Sequence, residues 1–148
     1  MDSSGNVLTV QGNECIVRKF DAARTVVASW GFGIATNTNN DVYITDESQN
    51  RVRKFDSMGN AILSWGGGQF NNPLGISVDS SGNVYVVDND NHRIQKFDGT
   101  GSFLAMWGSF GSGGQSFNNP YAVAVDNFGN VYVADSGTAR VSKWTSGE

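Results

Sequence analysis

The chain has 148 residues, 39% of them apolar and 16% charged, with a formal net charge of −4. That is long enough for one domain and too apolar for a disordered segment. Its ten Lys and Arg are scattered along the chain, so neither a phosphate-binding surface nor a nucleic-acid partner is expected. No apolar run reaches the roughly eighteen residues of a membrane helix, and the lone Cys15 excludes an intrachain disulfide.

Met1–Asn6 carries neither a basic region nor an apolar stretch, so no signal peptide is expected in these residues. Strand-like segments follow, short and rich in β-branched and aromatic residues, with Gly, Asn and Asp between them. Val7-Leu8-Thr9-Val10-Gln11 and Val17-Arg18-Lys19-Phe20 come first, then Trp30-Gly31. Val42-Tyr43-Ile44-Thr45-Asp46, Val52-Arg53-Lys54-Phe55 and Trp65-Gly66 repeat the series. The third copy is the fullest. It runs from Phe70-Asn71-Asn72-Pro73 through Gly75–Val78, Val84-Tyr85-Val86-Val87-Asp88 and Ile94-Gln95-Lys96-Phe97 to Trp107-Gly108. Phe117-Asn118-Asn119-Pro120 opens a fourth, with Val131-Tyr132-Val133-Ala134-Asp135 and Val141-Ser142-Lys143-Trp144.

The repeats sit 35, 42 and 47 residues apart, counted between Lys19, Lys54, Lys96 and Lys143. Length changes gather in one connection. Phe32-Gly33-Ile34 matches Leu74-Gly75-Ile76 without the residues corresponding to 67–73, while the last copy adds a Gly/Ser loop at 109–116. Four strands per unit at this period predict propeller blades. The units are roughly 1–31 (partial), 32–66, 74–108 and 120–148 (partial) of one segment spanning 1–148. The reading is thus an all-β fold with about three and a half four-stranded blades, its ring or array completed by another chain.

The run Asn72-Pro73-Leu74-Gly75-Ile76-Ser77-Val78-Asp79, then Gly82–Asp88, then Asn91-His92-Arg93-Ile94-Gln95-Lys96-Phe97, resembles the NHL repeat. The resemblance recurs in register along almost the whole chain and weakens in the first copy, at Asn13-Glu14-Cys15-Ile16. It implies a propeller, commonly of about six blades. It also implies a family of protein- and RNA-binding scaffolds with a few related lyases and hydrolases, so it speaks to fold more than to function.

Three Asp–Arg pairs stand five residues apart, at Asp46 and Arg51, Asp88 and Arg93, Asp135 and Arg140. Each ends one strand and opens the next, so the partners are expected to meet across a hairpin as structural ion pairs. The first copy has Gln11 and Ile16 there, losing both partners together. Asp88–His92 lacks the Gly and Glu of a calcium loop, and one histidine cannot build a multi-His zinc site or a convincing triad. His92 therefore reads as a surface turn residue, Cys15 as a small half-buried side chain, and Gly108–Gly114 as a linker. No catalytic residue, metal or cofactor is expected. Asn71, Asn72, Asn118, Asn119 and Tyr121 precede or open the innermost strands, so any ligand would be sought there, at a channel mouth.

Without a catalytic constellation, the expected function is a non-catalytic scaffold, not an enzyme, for protein interaction and self-assembly. The partner would be another copy of the same chain in a homo-oligomeric ring or filament, or another protein. The alternative is a fragment of a propeller-type lyase or hydrolase with a channel metal held by Asn and Asp. Few charges and Gly/Asn/Ser-rich turns suit an extracellular or cell-surface protein, on composition alone.

Overall fold

Apolar side chains at alternate places on short β-branched strands give each sheet two faces that must both be covered. The computed structural model describes residues 32–145 throughout and, before them, the backbone of three strands. These are β1 (Val7–Gln11), β2 (Ile16–Phe20) and β3 (Ser29–Trp30), which form the first sheet in the order β1-β2-β3. Cys15 and the side chains of Gln11 and Ile16 lie outside the described residues.

The second sheet comprises β4 (Ile34–Thr36), β5 (Val42–Asp46), β6 (Arg51–Phe55) and β7 (Ala61–Trp65). The third comprises β8 (Pro73–Val78), β9 (Val84–Asp88), β10 (Arg93–Phe97) and β11 (Phe103–Trp107). The fourth has β12 (Pro120–Val125), β13 (Val131–Asp135) and β14 (Arg140–Trp144). Each sheet is an antiparallel meander. Corresponding registers recur, as in Asp46↔Arg51, Asp88↔Arg93 and Asp135↔Arg140. The fold is all-β and is that of a propeller segment.

The sheets pack face to face. In β9, Val84 and Val86 join Tyr43, Val52, Phe70, Ile76 and Phe97 in a core against the second sheet. Tyr85 and Val87, on the opposite face, join Ile94, Phe117, Val123, Val131 and Val133 against the fourth. The four apolar residues of β9 are buried for this reason. The innermost strands β4, β8 and β12 lie side by side. Their approach needs glycine. A Cβ on Gly33 would fall 2.3 Å from Leu74 O, and one on Gly75 would fall 2.8 Å from Ala122 Cα.

Hairpin turns at one end of the sheets are built on aspartates. Asp79 Oδ1 accepts the main-chain N–H groups of Ser81 and Asn83, and Oδ2 accepts Asn83 Nδ2 and the Tyr85 hydroxyl. Asp126 does the same for Phe128, Asn130 and Tyr132. Asp56 and Asp98 hold the corresponding turns between third and fourth strands.

Candidate functional site

The opposite end of the sheets gathers the linkers that enter each innermost strand and the turns between second and third strands. Asn89 and Asp90 N–H groups donate to the carbonyls of Asn72 and Asn71, and Ser136 and Gly137 donate to those of Asn119 and Asn118. Linker and turn are thus stitched together within each sheet. The turns are a 3-10 turn at Glu47–Gln49, another at Asn89–Asn91, and the turn 136–139. Each closes on a residue with positive φ: Asn50 at 50°, His92 at 53°, Ala139 at 52°.

The Asp–Arg pairs sit in this stitching. Arg51 Nε lies 2.9 Å from Asp46, Arg93 Nε 2.7 Å from Asp88, and Arg140 Nη2 3.8 Å from Asp135. Each carboxylate does further work. Asp88 also accepts the N–H of Asn71 at 2.7 Å and the amide groups of Asn91 and Gln95. Asp135 accepts the N–H of Asn118 at 2.9 Å and the hydroxyl of Thr138 at 2.6 Å. In the second sheet, whose linker is short, Asp46 instead accepts Ser48 Oγ and the N–H of Gln49.

The outer nitrogens of two arginines hold linkers, a role that the five-residue spacing did not reveal. Arg93 Nη2 donates to Gln69 O at 2.9 Å. Arg140 donates to the carbonyls of Ser112 and Gly113, both at 2.8 Å, and to that of Ser116. Behind each linker, Phe70 or Phe117 folds back under the preceding glycine. A Cβ on Gly66 would fall 2.1 Å from the Phe70 ring, and one on Gly108 2.4 Å from Phe117, which explains the recurring Trp-Gly followed by Phe.

Contacts also cross from sheet to sheet. Asn50 Oδ1 accepts the N–H of Asn72 at 2.8 Å, and His92 Nδ1 accepts that of Asn119 at 3.2 Å. The His92 turn residue therefore ties two sheets, with its ring 4.9 Å from that of Phe110. Thr45 Oγ1 donates to Leu74 O at 2.6 Å, and Asn89 Nδ2 to Pro120 O at 2.7 Å. The main-chain groups of Asn71, Asn72, Asn118 and Asn119 are therefore committed to structure. Tyr121 differs. It is 49% exposed, and its ring meets Phe32 edge-on at 5.2 Å. Phe32, Leu74 and Tyr121 occupy matching places in the repeat, Leu74 and Tyr121 as the second residues of β8 and β12 and Phe32 just before β4, and two of the three meet between sheets that are not neighbours. A cavity of about 290 Å³ beside Tyr121 is lined by Ala134, Asp135, Ser136, Arg140 and Val141. A larger one of about 400 Å³, between Tyr85, Lys96, Met106, Trp107, Val131 and Trp144, lies toward the aspartate turns and away from this end.

Residues 70–97 match the family model for the NHL repeat. No curated protein matches the sequence. Among solved structures, streptogramin B lyase is similar over 97% of this chain and 52% of its own, at 12% identity and a TM-score of 0.75. Virginiamycin B lyase from Staphylococcus aureus is similar over 97% of this chain and 53% of its own, at 12% identity and a TM-score of 0.60. A luciferin-regenerating enzyme is similar over 93% of this chain and 52% of its own, at 19% identity and a TM-score of 0.64. The chain spans about half the length of each of these proteins.

These relatives correct the expectation of a non-catalytic scaffold that is not an enzyme, because all three carry the names of enzymes. The expectation rested on finding no catalytic constellation in this chain. A site at a channel mouth draws side chains from loops of several blades, and about half of such a ring displays only part of it. Residues 70–97 carry an NHL repeat, and the chain folds as a segment of a β-propeller.

Proposed function

We propose that this chain forms about half of a propeller enzyme of the lyase or hydrolase type, with its substrate at the linker end of the channel, over Phe32 and Tyr121. The observation that carries the reading is the agreement in fold with streptogramin B lyase over 97% of this chain. The local chemistry supports it. Arg93 and Arg140 hold the linkers in place around the opening, and the exposed Tyr121 offers a hydroxyl that can donate to a carbonyl or leaving-group oxygen.

The described residues do not fit the channel metal of the earlier alternative. Among them no group of three or more His, Cys, Asp and Glu could hold an ion. The carboxylates of Asp46, Asp88 and Asp135 already receive arginine, amide or hydroxyl groups.

The test is incubation of the purified protein with virginiamycin B, followed by mass spectrometry. Conversion is expected, with turnover falling about 100-fold in Tyr121→Phe, the scale of a lost proton donor. Intact virginiamycin B after prolonged incubation with folded protein would sink the lyase reading. Equal rates for wild type and variant would remove Tyr121 from the chemistry.

A further inference from the structure

The seams between second and third sheets and between third and fourth are fastened alike at the linker end, with one difference in chemistry. Asn50 and His92 stand at matching places, each closing a turn with positive φ, 50° and 53°. Asn50 Oδ1 accepts the N–H of Asn72, and His92 Nδ1 accepts the N–H of Asn119. Each thus catches the second Asn of an Asn-Asn-Pro linker that enters the next innermost strand. A side-chain amide oxygen accepts whatever the pH. An imidazole nitrogen accepts only while its lone pair is free.

Because Nδ1 is the acceptor, the neutral His92 ring carries its proton on Nε2. A second proton goes to Nδ1. It turns the acceptor into a donor that faces a donor, and the tie to Asn119 is lost. The charged ring still has a partner in Phe110, whose ring centre lies 4.9 Å away and attracts a cation. Asn119 also stays joined to its own sheet, since its carbonyl accepts the N–H and the hydroxyl of Ser136. What protonation removes is a tie between sheets, directly before Pro120 and Tyr121.

The charged groups on the elements around the ring have other partners. On its own turn, Asp88 and Arg93 hold each other at 2.7 Å, and Asp90 accepts the Asn72 side-chain amide. The linker packed against the ring, 109–119, has no Asp, Glu, Lys or Arg. Behind that linker, Asp135 accepts the N–H of Asn118, and Arg140 donates to the carbonyls of Ser112 and Gly113.

We propose that His92 is a pH-sensitive fastener at the channel mouth, closing the seam between third and fourth sheets as the neutral ring and releasing it in mild acid. The tie belongs to the neutral ring alone. It is therefore present at higher pH and lost as pH falls through the range in which histidine takes up a proton, about pH 8 to 5. Asn50 holds the other seam throughout. Mild acid thus relaxes one of these two seams, at the entry to β12, and leaves the other closed.

Amide solvent exchange measured by heteronuclear NMR tests this. Asn119 and Asn72 are compared within each sample, so the direct effect of pH on exchange chemistry cancels. Between about pH 7.5 and about pH 5.5 the rate of Asn119 relative to Asn72 should rise about threefold, the scale of one exposed hydrogen bond. The rise should follow the titration of the His92 ring signals. His92→Asn places the Asn50 arrangement in this seam and should abolish the change. His92→Ala copies Ala139, which has positive φ at the matching place of the fourth sheet, and should show the acid ratio already at the higher pH. A constant ratio in the unaltered chain, a pH dependence that survives in His92→Asn, or a His92→Ala ratio equal to that of the unaltered chain at the higher pH would each overturn the proposal. Turnover enters none of these measurements, so the fastener stands or falls apart from the enzyme reading.

Discussion

Asn50 catches the main-chain N–H of Asn72, 22 residues later and one sheet over, at 2.8 Å. The positive φ of 50° at Asn50 aims its side chain at the neighbouring sheet, a conformation that Asn tolerates better than most residues. Removing the tie separates two effects. Asn50→Gly keeps the backbone and loses the bond, and should cost about 1 kcal/mol. Asn50→Ala loses the bond and also forces an alanine into the left-handed region, and should cost about 2–3 kcal/mol. Urea unfolding of the two variants measures both. Equal losses would show that the bond, not the turn, is the whole contribution.

Gly75 should be intolerant of even a methyl group. A Cβ there would lie 2.8–3.0 Å from backbone atoms of Tyr121, Ala122 and Val123, and backbone cannot rotate aside as a side chain can. Gly75→Ala is expected to lower stability by about 1–3 kcal/mol through overpacking. The innermost strands would be pushed apart, so amide exchange should rise first in β8 and β12. Exchange that rises first in β7 or β11, far from the clash, would contradict this packing of the innermost strands.

Acid should loosen the turn end of the sheets. Asp56 and Asp98 are held below the ordinary carboxylate value of 3.8 chiefly by side-chain hydrogen bonds from Asn60 and Thr100, and Asp126 by that of Asn130. For Asp79, burial acts to raise the value. The side-chain and main-chain groups of Asn83 and the Tyr85 hydroxyl outweigh it, and the net shift is downward. A carboxylate bound more tightly as an anion in the folded state contributes stability above its unfolded value, and that contribution is lost as pH falls through the folded value. Urea midpoints should therefore hold steady down to about pH 5 and decline below about pH 4. Asp79→Asn should start lower and decline less steeply. An unchanged slope in that variant would remove Asp79 from the effect.

The blades were legible because their residues recur in register: the Val-Tyr strand, the Lys-Phe strand and the Trp-Gly ending each keep their place while linkers change length. The Asp46–Arg51 spacing likewise placed two side chains across one hairpin, a local relationship that strand periodicity reveals. What joins one sheet to the next was not legible. Asn50 with Asn72, His92 with Asn119 and Arg140 with Ser112 each pair a side chain with a main-chain group on a linker. Main-chain groups leave no mark on residue identity, and the linkers differ in length, so no fixed spacing exists to be noticed. His92 read as a bland turn residue because one histidine suggested no site, yet its ring nitrogen serves as a fastener. The scaffold expectation failed for a related reason: a channel-mouth site depends on loops from several blades, and their juxtaposition is not a linear pattern.

Arg140 joins a buried carboxylate to the longest linker, and its loss should show in both places. The Asp135 side chain is 0% exposed, and Arg140 lies 3.8 Å from it. Arg140 Nε has no hydrogen-bond partner, and the outer nitrogens reach the carbonyls of Ser112, Gly113 and Ser116. Arg140→Ala leaves Asp135 with only the N–H of Asn118 and the Thr138 hydroxyl, and should cost about 3 kcal/mol, the scale for breaking a buried pair. It should also free the 109–116 loop, where three of the eight carbonyls lose the hydrogen bonds of the guanidinium. Arg140→Lys separates the two roles. A lysine keeps the positive charge near Asp135 but cannot offer a planar set of donors to several carbonyls at once. Limited proteolysis should cut 109–116 in both variants, with urea stability largely kept in Arg140→Lys and lost in Arg140→Ala. A loop that stays resistant in Arg140→Lys would mean that charge at this position, not the fork of donors, orders the linker.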